Sequence, residues 1–172
     1  MNRMISNSRQ RAIPAQNMQG LEEIAAAAVA FDWETGDLKH LGRMMSKLGL
    51  DLATAMRVFL NGRPHDLNYM DPEDVPLEQR ARFSMLDSLH GRINCGFYLP
   101  DPQRGLGAVR AEAEAWFDAQ HRDHARGKSG RWVFDKKRFE AISDDGPRTL
   151  IQTPTTDSRP TLLRVLTEPF WQ

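Results

Sequence analysis

In the run DLATAMRVFL, from Asp51 to Leu60, a capping residue, an apolar spacing and a terminator fall in register, and no other stretch constrains the fold as tightly. Asp51 can accept a hydrogen bond from an orphan backbone N–H of the first turn. Leu52, Ala55, Met56 and Phe59 share one helical face. Gly62 stands where a left-handed residue would end the helix. The stretch predicts a core helix whose apolar face must be covered by others.

Those neighbours are legible on both sides. Leu21, Ile24, Ala25 and Ala28 are spaced for a first helix over Leu21–Phe31, with Glu22 and Glu23 in its first turn and small alanines that allow close approach. Asp37 can cap a second helix with a stripe of Leu38, Leu41, Met44, Met45 and Leu48, ending at Gly49. Pro76 and Leu77 open a fourth, to about Asn94, with Ala81, Met85, Leu86, Leu89 and Ile93 inward. A fifth, from about Leu106 to Arg126, faces the core with Leu106, Val109, Ala113, Trp116, Phe117 and Gln120. Asn61–Pro76, with three prolines and the acids Asp71, Glu73 and Asp74 of a cluster that runs on to Glu78, reads as a long loop of the kind that carries function.

Beyond Gly130 the pattern weakens. Trp132–Ile142 fits a short strand followed by a helix, or one helix with Phe134, Phe139 and Ile142 inward. Two β-prone pieces, Thr149–Thr153 and Thr161–Thr167, flank a Pro, Thr and Ser linker, so a loose hairpin and an extended tail docked through Phe170 and Trp171 both fit. The expectation is a mainly α, single globular domain of five or six helices: residues 1–19 a flexible arm, 20–146 the helical domain, and 147–172 an extended C-terminal segment.

At 172 residues the chain suits one domain with a proper core. Its 23 basic and 23 acidic residues balance, so no global field draws it to nucleic acid or an anionic membrane. Cys95 is its only cysteine, which excludes an internal disulfide, fits a reducing compartment and reads as a buried, unreactive thiol. The arm carries Arg3, Arg9 and Arg11 but lacks the apolar core of a secretory signal, and no apolar run nears the roughly 20 residues that span a bilayer. These features together suggest a soluble, cytoplasmic protein.

Phe31-Asp32-Trp33-Glu34-Thr35-Gly36, followed by Asp51-Leu52-Ala53-Thr54-Ala55-Met56-Arg57-Val58-Phe59, resembles a bacterial family of the domain-of-unknown-function 4274 type. That family's pattern is an aromatic-polar-Trp-acid-acid-Gly turn and an Asp-Leu-Gly-Thr-Ala-Leu helix start. Here Thr35 replaces the second acid and Ala53 the glycine. The resemblance covers the first third of the chain and implies a small helical domain of unassigned biochemical role.

Two candidate chemistries stand out. Asp118-x-x-His121-x-x-His124 supplies a carboxylate and two imidazoles, a zinc or manganese ligand set that would suit a metal-dependent hydrolase. Six residues of helix turn through about 600°, however, leaving Asp118 and His124 roughly 120° apart, and packed or surface histidines are the preferred reading. A basic region from Arg122 to Arg138, including Arg126, Lys128, Arg131, Lys136 and Lys137, is interleaved with Trp132 and Phe134 and could hold single-stranded nucleic acid by phosphate contacts and stacking. A solvated face paired with the acidic loop is preferred there. No nucleophile sits in a recognisable catalytic context, and no cofactor is called for. The leading reading is therefore a non-enzymatic module that binds a protein partner or itself, through Trp33, His65, Tyr69, Phe170 and Trp171.

Overall fold

The computed structural model describes residues 15–140 and 142, with side chains from residue 19 onward. Five α-helices account for its architecture: α1 Ala15–Val29, α2 Leu38–Met45, α3 Leu52–Asn61, α4 Arg80–Asn94 and α5 Arg110–Ala125. Single 3₁₀ turns at Pro64–Asp66, Leu77–Gln79, Gly107–Val109 and Lys136–Arg138 join or follow them. No strand forms among the described residues; an isolated parallel bridge pairs Asp51 with Leu99. The mainly helical fold is the one the sequence implies. The C-terminal segment with Phe170 and Trp171, and most of the N-terminal arm, lie outside the described residues.

The centre of the fold is α3. It starts where Asp51 accepts hydrogen bonds from the Thr54 amide (2.8 Å) and the Thr54 hydroxyl (2.6 Å). Expected to bury one face, it is buried nearly all round: Leu52 to Met56 and Val58 to Leu60 are all shielded, with Arg57 half-buried. The reason is that α1, α4 and α5 all pack on it, while α2 bridges α1 and α4. A helix apolar on every side belongs at the centre of a bundle.

Several local expectations need correction. The first helix begins at Ala15, so Glu22 and Glu23 lie mid-helix rather than at its positive end, and only Ala25 and Ala28 of the four alanines are buried. Leu48 is 79% exposed because α2 stops at Met45, and Leu50 takes the buried position instead. Ala81 is exposed, and Phe83 fills the inward place on α4. Cys95 is exposed, at the C-terminal end of α4, with its thiol donating to the Arg92 carbonyl at 3.3 Å. Gly62 has an ordinary φ of −71°, and the left-handed residue is Arg63 at 51°. A side chain at Gly62 would put its Cβ 2.8 Å from both Leu86 and Trp33, so this glycine serves close approach, not backbone twist.

The segment after α5 is neither strand nor helix. At residues 131–134, side chains from three directions take the hydrogen bonds that a strand neighbour would supply. Asn68 accepts from the Trp132 amide at 3.0 Å, and Gln120 both accepts from the Phe134 amide (2.9 Å) and donates to the Phe134 carbonyl (2.7 Å). Asn94 donates to the Val133 carbonyl at 2.9 Å, with His90 beside it. So anchored, Trp132 and Phe134 bury almost completely and meet Phe59 edge-on at 5.8 and 5.0 Å.

Candidate functional site

The last turns of α5 and the chain's return over them build a recess. Gly127, at a φ of 69°, turns the chain back, while the amides of Arg126 and Lys128 both donate to the Asp123 carbonyl at 2.9 Å. Only glycine adopts that left-handed conformation without steric cost, so the turn can be this tight. Between α5, the 65–69 segment and residues 128–136, a cavity of about 250 Å³ opens to solvent. That is just below the usual range for small-molecule sites and fits one or two side chains better than a cofactor.

Its floor is aromatic. Trp116 and Trp132 are 3% and 1% exposed, and the His65 ring lies against Trp116 with centroids 4.5 Å apart. Tyr69 and Val133 stand open at the edge, at 62% and 39% exposure. The rim carries Lys128 and Lys136 together with His121 and His124, all exposed. Asp123, the acid of the lining, is half-buried, and its carboxylate accepts the hydroxyl of the exposed Tyr69 at the edge. That hydrogen bond raises the Tyr69 pKa above the ordinary phenol value, with burial and the Asp123 charge adding to it. The recess therefore presents apolar depth and an edge on which two lysines outnumber one carboxylate.

Comparison of the chain with protein-family models, with curated proteins and with solved structures finds no match. The chemistry of the site itself carries the functional argument.

Residues drawn from three separate sequence readings meet here: His65 and Tyr69 from the partner-binding set, His121 and His124 from the metal set, Lys128 and Lys136 from the basic region. Others stay apart. Trp33 packs edge-on to Phe31 at 6.3 Å and against Gly62, its indole N–H buried without a partner among the described residues. Asp118 is exposed and outside the cavity lining, as the helical angle implied, and among the described residues no three His, Cys, Asp or Glu side chains form a metal-holding group. Arg126 and Lys137 are exposed outside the lining.

Arg131 is engaged elsewhere. It pairs with Asp87 through two hydrogen bonds of 2.8 and 2.7 Å and lies over the Phe83 ring at 4.7 Å. Asp87, not the acidic loop, is thus its counter-charge. Trp132 and Phe134, the aromatics interleaved in the basic region, are both 1% exposed and belong to the core. The Ser129 hydroxyl donates to the Gly130 carbonyl at 3.0 Å rather than to a histidine, an arrangement that does not activate a nucleophile. The sequence missed the floor of the site because its contacts, His65 on Trp116 and Asn68 on Trp132, join residues about 50 to 65 positions apart.

Proposed function

We propose that this protein is a non-enzymatic interaction module that captures a short peptide segment of a protein partner, an aromatic or apolar side chain with a neighbouring acid, in the recess beside α5. One observation carries the reading: a recess of side-chain size whose floor is Trp116 and Trp132, with the exposed His65 ring against Trp116, and whose rim carries Lys128 and Lys136. A buried aromatic anchor ringed by complementary charge is the usual form of a binding hot spot. Tyr69 and Val133, already exposed, would be covered on binding at little cost in ordering.

The test is fluorescence anisotropy with a labelled peptide carrying a tryptophan flanked by glutamates. Wild type should bind it, with affinity falling moderately as salt rises. The double variant Lys128→Glu/Lys136→Glu, altered only at exposed positions, should bind about tenfold more weakly while melting as wild type does. Equal binding by both proteins would refute the site. A companion affinity purification, run with wild type and the double variant side by side, should lose the partner in the variant.

A further inference from the structure

We infer that the recess is regulated by the chain itself: the segment around Glu168, Phe170 and Trp171 occupies it in cis until a partner displaces it. The inference rests on the peptide-binding reading and goes further by naming a first occupant and a regulatory consequence. Glu168, Phe170 and Trp171 place two aromatic side chains within three positions of an acid, the chemistry that an aromatic floor and a rim carrying two lysines select. The position from which the chain departs is equally specific. Phe139 packs against Phe117 with centroids 5.1 Å apart, Phe117 lines the recess, and Ile142, buried, donates its amide to the Phe139 carbonyl at 3.0 Å.

The chain therefore leaves the described domain beside the wall of the recess. The 26 residues from Ile142 to Glu168 can span at most roughly 85 Å when extended, more than enough to double back. A connection of that length presents its end to a nearby site at an effective concentration of order millimolar, so even a weak intramolecular fit competes with a dilute partner. Partner binding is then a displacement, and its apparent affinity is reduced by the fraction of time the segment is seated.

Two measurements on the full chain test this. In a Cys95→Ser background, Ser129→Cys at the rim is combined with Thr167→Cys, which leaves Glu168, Phe170 and Trp171 intact. Under mild oxidation the intramolecular disulfide should form about tenfold faster than in a control pairing Lys39→Cys, exposed on α2, with Thr167→Cys. Adding Phe170→Ala/Trp171→Ala should bring the rate down to that of the control. Equal rates at the two positions would overturn the inference, and disulfide-linked dimers in place of the closed monomer would assign the occupant to a second copy.

In the second measurement, a labelled peptide with the sequence of residues 165–172 should bind full-length Phe170→Ala/Trp171→Ala about tenfold more tightly than wild type, because the competing segment has been removed. Equal binding to both, still lost in Lys128→Glu/Lys136→Glu, would leave the recess standing and remove self-occupancy. Binding to neither would remove both.

Discussion

Asp51 has two tasks in the first turn of α3, and they set what its loss costs. Besides capping the Thr54 amide it accepts the Thr54 hydroxyl, and it is only 5% exposed, with Arg104 at 3.6 Å. Asp51→Ala removes the cap and strands a buried hydroxyl, so the expected destabilisation is about 2–3 kcal/mol by urea denaturation, above the usual cap value of about 1. A loss under 1 kcal/mol would mean that water reaches the turn. Gly62 makes a second prediction. Because its φ is ordinary and its surroundings are full, Gly62→Ala should cost about 1–3 kcal/mol through overpacking against Leu86 and Trp33. Truncating Trp33 in the same chain should recover part of that cost, a coupling that a purely backbone effect would not show. A glycine after a helix has two physical meanings, twist and closeness, and the sequence offers no way to choose between them here.

At the scale of elements, legibility follows the range of the interactions. The Asp37 and Asp51 caps and the apolar stripes of α4 and α5 were readable because their partners lie within four residues. The 131–134 segment was not, because its partners Asn68, Gln120, His90 and Asn94 are 14 to 64 positions away. Gln120→Ala should therefore cost about 1–3 kcal/mol and raise hydrogen exchange at the Phe134 amide well before the centre of α3 is affected. Unchanged protection at Phe134 would show that packing alone holds the segment. The candidate site was readable in its parts but not in its assembly, since nothing local announces that His65 will meet Trp116.

Asp87 ties the same segment to α4, and its titration gives a pH signature. Burial favours its neutral form, but the hydrogen bonds from Arg131 and the Trp132 indole, with the Arg131 and His90 charges, outweigh burial and hold the carboxyl below its ordinary value. A carboxyl depressed in the folded state stabilises the fold above its unfolded pKa and loses that contribution as pH falls through the folded one. The stability difference between wild type and Asp87→Asn should be flat above about pH 5 and shrink as pH falls below about 4. A constant difference down to about pH 2 would argue that the Asp87 charge is not coupled to folding.

For the whole molecule, Phe59 is the point where the helices and the returning segment meet. It contacts Trp116, Trp132 and Phe134 edge-on at 5.6, 5.8 and 5.0 Å, thereby joining α3, α5 and residues 132–134 in one aromatic cluster. Phe59→Ala should cost about 3–5 kcal/mol, a large share of the about 5–15 kcal/mol that a domain of this size has, and the change should be visible in tryptophan fluorescence as well as in the denaturation midpoint. A cost below 2 kcal/mol would mean that the cluster repacks.

Trp116 and Trp132 belong to that cluster and also form the floor of the recess. The depth of the recess is thus inherited from the core and cannot drift without loosening it, whereas His121, His124, Lys128 and Lys136 at the rim carry no such burden. On the proposed reading, lineages descending from such a chain would change their preferred ligand by rewriting charge at the rim, and would leave the shape of the recess alone.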